Sequence, residues 1–236
     1  IYMKFKHSAT AKKKATQTKD HVKSVLAGLS NFKLSADLES ELPKASVSRI
    51  QELLLAGRVT CEDLVKFFTR LTGERCVELN AVVDFLYEEA IQMAKERDQT
   101  LAKLKKEKKD LPPLFGIPIS IKDVLEYKGH DTSMGSATCC FDPCDEHGLV
   151  VMQLLEAGAV PFVKSNCPQL LLINETNNWM WGRAKNPWDT ERTTGGSSGG
   201  EGALVAMGCS PVGIGSDGGG SVRIPANYCG TVGIRP

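Results

Sequence analysis

The chain has 236 residues, 42% of them hydrophobic, and its 29 basic and 28 acidic side chains leave a net charge of +1. This length and composition predict one large domain, or most of one, with a sizeable core. The balanced charge gives no overall case for nucleic acid as a partner. There is no signal-peptide pattern and no run of the roughly 18 apolar residues that a membrane span requires. Because the chain begins at Ile1 and ends at Pro236 directly after an apolar segment, we expect it to belong to a longer protein.

Eight cysteines are scattered through the chain. In a mid-sized sequence without a secretory signal, this favours reduced, mostly buried thiols over a disulfide framework. Cys139, Cys140, Cys144 and His147 form the one cluster with metal-like spacing, but no second pair of ligands follows at zinc-finger distance. We therefore expect an ordinary loop there and no metal site.

The first part of the chain is basic. Between residues 1 and 23 a single acid, Asp20, accompanies seven lysines, namely Lys4, Lys6, Lys12, Lys13, Lys14, Lys19 and Lys23. Val22, Val25 and Leu29 then follow at helical spacing. We expect residues 1–40 to form a basic helical arm that docks on a domain comprising residues 41–236. A membrane-surface segment is the alternative.

Helices and strands alternate along the predicted domain. Serine and threonine caps predict helices over 46–55 and 60–71, the second ending before Gly73. Further helices are predicted over 87–108, 148–157 and 198–207, with a short one from about 221. Apolar runs predict strands over 81–86, 114–121, 159–163, 211–215 and 231–234. This alternation predicts an α/β layered domain.

Glycine and serine are concentrated near the C-terminal end. Residues 195–221 contain eleven glycines and five serines, interrupted by the apolar segments 203–207 and 212–214. A flexible linker would be polar throughout. The pattern instead indicates a tight backbone cradle at a helix start, where amide N–H groups come close to a ligand.

Two familiar motifs match this region without their required context. The Gly213-x-Gly215-x-x-Gly218 pattern fits a dinucleotide fingerprint, but that motif needs a helix opening at its third glycine, and Pro225 interrupts the following segment. The Gly-x-Ser-x-Gly pattern fits a nucleophile elbow in two frames, with Ser197 or Ser198 as the nucleophile. The elbow needs a histidine after the serine, and all four histidines precede it. The triad would therefore require a histidine beyond Pro236.

A serine nucleophile without a histidine requires another base, and lysine is the usual one. Lysine accepts a proton only when it is neutral, and burial or nearby positive potential lowers its pKa. Lys122 and Lys164 both follow apolar strands, where burial is expected. The residue pattern does not choose between them.

Several segments together resemble the amidase signature family. They are residues 195–204, 215–225 and 229–234, with 116–123 similar to the family's lysine strand and 186–188 also fitting. The similarity extends from about residue 45 to the end. Glu201 and the basic arm make the sequence most similar to the fatty-acid amide hydrolase branch. The resemblance implies the layered α/β amidase-signature fold, in which helices flank a core of mixed sheet, and of which the C-terminal part lies beyond this chain.

The resemblance also implies a catalytic set, the family's Ser–cis-Ser–Lys triad. On this sequence Ser221 is the nucleophile, Ser197 the bridging serine and Lys122 the base, which leaves Lys164 out. The oxyanion hole carried over from the family consists of the backbone N–H groups of Gly218, Gly219, Gly220 and Ser221. The family's substrate-lining segment falls on residues 170–173, and Leu171 and Ser197 complete the predicted substrate and oxyanion positions. Asp217 and Arg223 are expected to pair and brace this loop, and Ser198 to be structural.

The function implied by the resemblance is hydrolysis of the amide bond of fatty-acid amides, such as N-acylethanolamines and primary fatty amides. No cofactor, metal or nucleic acid is implied. The alternatives are an amidase for other amides, such as glutamine or small aryl amides, and an inactive truncated fragment. The resemblance further implies a membrane-associated intracellular location, with a membrane surface and a second copy of the chain as candidate partners. For the isolated chain we expect weak folding or no turnover.

Overall fold

The computed structural model describes the backbone of residues 2–236 and the side chains of residues 8–236. Helix α1, Tyr2–Gly28, confirms the helical prediction for the basic arm, although the side chains of Lys4 and Lys6 lie outside the described residues. Val22, Val25 and Leu29 are buried where α1 meets the rest of the molecule. The boundary at residue 40 stays a prediction. No helix within residues 2–236 combines the length and apolar character needed to cross a bilayer.

The next helices begin at the predicted caps. After α2 (Ala36–Glu41) and a 3₁₀ turn (Leu42–Lys44), α3 spans Val47–Leu55, and the Ser46 side chain accepts a hydrogen bond from the Arg49 N–H. Helix α4 spans Cys61–Cys76 and begins with a capping box formed by Thr60 and Asp63.

The predicted end of α4 before Gly73 is wrong, because the helix continues to Cys76. Gly73 does not break the helix. It lies against α1, where a Cβ at this position would come within 2.3 Å of the Leu26 side chain. The glycine therefore serves the close approach of two helices, a role that the local sequence does not reveal.

The remaining helices follow the predicted order. Helix α5 spans Tyr87–Glu107 and ends at Lys108, which adopts the left-handed conformation typical of a helix C-terminus. Helix α6 spans Leu149–Glu156, α7 spans Gly199–Ala206 and α8 spans Arg223–Cys229. Two further 3₁₀ turns cover Ala137–Cys139 and Gln169–Leu171.

Four of the five predicted strands form, and they make one mixed sheet. They are β1 (Val82–Phe85), β2 (Pro118–Lys122), β3 (Val160–Ser165) and β4 (Gly213–Ile214), in the spatial order β1-β3-β2-β4. Strand β1 is antiparallel to β3, whereas β2 runs parallel to both β3 and β4. Every residue of β2 and β3 is buried. Since β2, β3 and β4 are parallel, their carboxyl ends meet at one edge of the sheet.

The strand predicted over 231–234 is wrong, because these residues form no regular structure. Val232 and Ile234 are 89% and 76% exposed. An apolar run becomes a strand only beside a free sheet edge, and within residues 2–236 this segment pairs with none. Helix α8 also differs from expectation, because it runs through Pro225. Proline is tolerated there since it lies in the first turn.

Candidate active site

Lys122 is the last residue of β2 and is completely buried. Its Nζ atom donates hydrogen bonds to Ser197 Oγ at 2.6 Å and to Ser216 Oγ at 2.9 Å. Burial lowers the pKa of Lys122 to about 8, against the opposing effects of Cys167, Glu201 and Asp217. A neutral amine in contact with a serine hydroxyl can act as a base. Lys122 therefore has both the position and the basicity that this chemistry needs.

Lys164 is in a different environment. It is also fully buried, but its Nζ lies 3.0 Å from Asp123 Oδ1 and donates hydrogen bonds to Asp131 O at 2.6 Å and Thr132 Oγ1 at 3.2 Å. Strands β2 and β3 pair so that Lys122 lies opposite Ser165. Because side chains alternate between the two faces along a strand, Lys164, the residue before Ser165, points to the face opposite that of Lys122. An amine paired with a buried carboxylate holds the fold together, and Lys164 has no contact with the serine loop.

Ser197 lies in a fully buried loop that leads into α7. The Gly196–Ser197 peptide bond is cis, and Gly195 has a φ of +75°. Gly196 packs against the chain at 174–175, where a Cβ would come within 2.9 Å of backbone atoms of Asn174 and Glu175. These close contacts hold the Ser197 hydroxyl at the end of the Lys122 side chain.

Ser221 lies directly before the first turn of α8 and is half-buried. Its carbonyl oxygen accepts a hydrogen bond from the Ser198 N–H at 3.0 Å, so the backbones of the two serine loops are joined. Within residues 8–236 the Ser221 hydroxyl makes no hydrogen bond. The structure therefore forms the Lys122–Ser197 hydrogen bond and joins the Ser221 backbone to Ser198, without a hydrogen bond between the Ser197 and Ser221 hydroxyls. Ser198 Oγ donates to Ser216 O at 3.3 Å, within the loop.

Asp217 organises the loop before Ser221. Its carboxylate accepts hydrogen bonds from the Gly220 N–H at 2.6 Å and the Val222 N–H at 3.1 Å, and it pairs with Arg223 at 3.0 Å. The predicted Asp217–Arg223 pair is confirmed. Arg223 and the backbone donors hold the pKa of Asp217 far below its usual range. Asp217 thus remains charged at any ordinary pH and keeps the loop closed.

The four backbone donors predicted for an oxyanion are not equally available. The Gly220 N–H is already donated to Asp217, and its φ of +110° suits glycine. Gly218 and Gly219 are exposed, and within the described residues their N–H groups and that of Ser221 donate no hydrogen bond. These three N–H groups are free to bind an anion.

A cavity of about 460 Å³ lies at the segment predicted to contact substrate. Leu170, Leu172, Ile173 and Trp179 line it, together with polar side chains. Leu171 itself is half-buried and does not line this cavity. The lining segment continues into residues 174–175, which pack on Gly196, so the cavity wall and the Ser197 loop are connected.

Two residues close to Lys122 lie outside the predicted site. Ser216 accepts the second hydrogen bond from Lys122, and Glu201 is a buried carboxyl on α7 whose charge acts on that amine. The position of Ser216 could have been inferred from the sequence. It comes just after β4, and Lys122 ends β2, so the parallel pairing of these strands brings the two residues to the same edge of the sheet. For Glu201 no such signal existed, since a glutamate in a first helical turn is ordinarily solvated.

Two cysteines lie close to this site: Cys167 affects the pKa of Lys122, and Cys229 Sγ donates to Thr194 O at 3.7 Å, three residues before Ser197. In the described part of the chain no three His, Cys, Asp or Glu side chains are arranged to hold a metal ion. Cys140 is buried, whereas Cys139 and Cys144 are partly exposed. Cys76 and Cys209 approach with their sulfur atoms 3.5 Å apart as free thiols.

Comparison with known proteins identifies the family. The amidase family profile matches residues 63–236. A fatty acid amide hydrolase 1 from Caenorhabditis elegans is 39% identical over 204 residues, which are 86% of this chain and 35% of the relative. An acetamidase from Emericella nidulans is 35% identical over 201 residues, covering 85% and 36%. The solved structure of a fatty acid amide hydrolase has a TM-score of 0.79 at 29% identity, covering 94% of this chain and 42% of that one.

The chain belongs to the amidase signature family, and its mixed α/β fold is the fold of that family. It spans little more than a third of the length of these two curated relatives.

Proposed function

We propose that the chain carries the catalytic centre of a serine amidase, with Ser221 as nucleophile, Ser197 as proton relay and Lys122 as base. The observation that carries this proposal is the 2.6 Å hydrogen bond from a fully buried Lys122 amine to the Ser197 hydroxyl. A buried lysine without a carboxylate partner has a lowered pKa, and here its acceptors are two neutral serines. This is the environment that a lysine base requires.

In the first half of the reaction, Ser221 Oγ attacks the carbonyl carbon of the amide. Its proton passes to Ser197 Oγ, whose own proton passes to the neutral amine of Lys122. The carbonyl oxygen becomes an oxyanion, which the free N–H groups of Gly218, Gly219 and Ser221 would bind. Donors of this kind typically contribute roughly 3–4 kcal/mol each to transition-state stabilisation. The C–N bond then breaks as the proton returns by the same route to the leaving amine.

In the second half, water hydrolyses the acyl-enzyme. Water loses a proton to the relay and its oxygen attacks the ester carbon of acylated Ser221. The bond to Ser221 Oγ breaks, and the hydroxyl regains its proton from Lys122 through Ser197. The products are a carboxylic acid and an amine, and the enzyme returns to its starting state.

For the substrate, we propose fatty-acid amides. The cavity lined by Leu170, Leu172 and Ile173 offers apolar surface, and its lining segment continues into residues 174–175, which pack on Gly196. The likeness to fatty acid amide hydrolases in both sequence and fold supports the same choice. From that likeness we also propose membrane association and a homodimer, which vesicle co-sedimentation and analytical ultracentrifugation of the purified chain would test.

A small amide is the second candidate, because the acetamidase is similar at nearly the same identity. Hydrolysis rates across a series of primary amides of increasing acyl length separate the two. If the chain binds acyl groups in an apolar cavity, each buried CH₂ contributes up to ~0.8 kcal/mol, or about four-fold in kcat/KM. A rate that is flat or falls with acyl length would favour the small-amide candidate.

The serine assignment is tested by labelling with a fluorophosphonate probe, followed by peptide mass spectrometry. We expect the label on Ser221 and its loss in both Ser221→Ala and Lys122→Ala. A label on Ser197 or Ser198 would overturn the assignment. If no serine reacts in a chain shown to be folded by circular dichroism, the alternative of an inactive fragment holds.

A further inference from the structure

Glu201 is a buried carboxyl that the proposed mechanism does not use. It is the third residue of α7 and is 5% exposed. Its Oε2 atom accepts a hydrogen bond from Ser120 Oγ at 2.5 Å. Gly213 on β4 leaves room for it, because a Cβ there would come within 2.3 Å of the same oxygen. Burying a carboxyl costs free energy unless its surroundings compensate, so its presence here calls for an explanation.

The second carboxyl oxygen of Glu201 lacks a hydrogen bond that would offset the cost of its burial. Oε1 is buried and has no hydrogen-bond partner among residues 8–236, and neither does Ser165 Oγ. The Ser165 hydroxyl lies beside the carboxyl without forming a hydrogen bond of normal geometry. Burial raises the pKa of Glu201 to about 7, against the effects of Ser120, Ser165 and Lys122. The group therefore changes charge close to neutral pH.

Glu201 shares a buried compartment with Lys122. Ser120, its hydrogen-bond partner, lies two residues before Lys122 on β2 and so points to the same face of the sheet. Ser165 is paired with Lys122 in the ladder between β2 and β3. Glu201 and Lys122 interact through their charges, yet they form no direct ion pair. Their separation leaves the Lys122 amine free to contact Ser197.

We propose, on the basis of the serine amidase function proposed above, that Glu201 is a positioning residue for the Lys122 base. Its carboxyl supplies the negative charge that keeps the buried amine basic, and its hydrogen bond to Ser120 holds β2 against α7. A base is most effective when its pKa lies near the working pH. Burial by itself would weaken Lys122, and Glu201 opposes that effect from a distance that does not block the relay.

Other groups also face this compartment and α7. The titratable and charged side chains on the elements packed around it are Cys167 after β3, Asp217 after β4, Arg75 and Cys76 on α4, and Arg223 and Cys229 on α8. Asp217 is paired with Arg223, which holds its pKa far below the usual range, so its charge does not change near neutral pH. Burial raises the pKa of Cys167 to about 12, so its thiol is uncharged at neutral pH. Glu201 is therefore the acidic group whose charge changes in the range where Lys122 titrates.

The test is a titration of Lys122 by NMR in the full 236-residue chain, labelled with ¹⁵N-lysine, and Lys122→Met assigns the signal. In Glu201→Gln, which keeps the shape and removes the charge, the Lys122 midpoint should fall by roughly 1 pH unit, as is usual for loss of a nearby opposite charge. Glu201→Asp keeps the charge and should restore most of the difference. An unchanged midpoint in Glu201→Gln overturns the proposal.

A reciprocal measurement covers the case in which Glu201→Gln does not fold. In Lys122→Met, the ¹³Cδ signal of Glu201 should titrate at a higher pH than in the unmodified chain, because coupling between two sites is mutual. No difference there would also overturn the proposal. These readouts need no turnover. An unlabelled Ser221 with coupled midpoints contradicts the proposed function, whereas a labelled Ser221 with independent midpoints contradicts the role of Glu201.

Discussion

The pH dependence of Ser221 reactivity follows from the burial of Lys122. In the proposed mechanism only the neutral amine accepts the proton that Ser221 loses through Ser197, and burial lowers the pKa of Lys122 to about 8 from an ordinary 10.5. The rate of labelling by a fluorophosphonate should therefore rise with pH and level off above about pH 8.

The size of this effect can be worked out from the fraction of neutral lysine. With a pKa of about 8, this fraction is ~1% at pH 6, ~9% at pH 7 and ~50% at pH 8. Labelling should thus accelerate roughly 50-fold between pH 6 and pH 8 and less than about two-fold between pH 8 and pH 10. A lysine of ordinary pKa would instead give a rate that still rises about ten-fold per pH unit at pH 9.

The assay measures second-order labelling rates on the 236-residue chain between pH 6 and pH 10, with circular dichroism to confirm the fold at each pH. In Lys122→Ala, labelling of Ser221 should be lost over this whole pH range. An inflection near 10.5 would refute the reasoning from burial, and one near 6.5 would point to a histidine.

The lowered pKa of Lys122 also determines how the stability of the fold changes with pH. Between about pH 8 and pH 10.5 the unfolded chain binds more protons at Lys122, so the free energy of unfolding rises with pH there.

Three further changes test the loops around the site. Ser197→Ala removes the acceptor of Lys122 and should slow labelling of Ser221 by roughly 10²–10⁴-fold, whereas Ser198→Ala should have a much smaller effect in the same assay. Asp217→Asn removes the charge that holds the Gly220 N–H and Arg223, so both the melting temperature and the labelling rate should fall; an unchanged rate would show that the loop needs no brace. Gly200→Ala places a Cβ within 2.4 Å of the Asn166 backbone and should destabilise the fold by about 1–3 kcal/mol or more in denaturant unfolding. Gly218→Ala, at a position with open space, is its matched control for stability, and equal losses in both would contradict the packing interpretation.

Much of the secondary structure could be predicted from the sequence because its signals are local. Ser46, Thr60 and Asp63 cap helices through contacts within three residues, and the apolar runs before Lys122 and Lys164 are long enough to indicate buried strands. The segments 195–204, 215–225 and 229–234, together with the lysine strand at 116–123, were likewise sufficient to recognise the family, which the amidase profile confirms.

Tertiary structure decided the features that depend on residues far apart in the chain. Lys122 and Lys164 end similar strands, and only the strand order and the face to which each side chain points place Ser197 beside one and Asp123 beside the other. The burial of Glu201 also depends on distant residues. By sequence it is an ordinary glutamate in the first turn of a helix, and it is buried only because α7 packs against β2. Segment 231–234 shows the opposite case. Its residues have the apolar pattern of a strand, but within the described residues they pair with no sheet edge and form no strand. Local patterns specify what an element is, whereas the packing of distant elements determines which charges are buried together and therefore which groups can react.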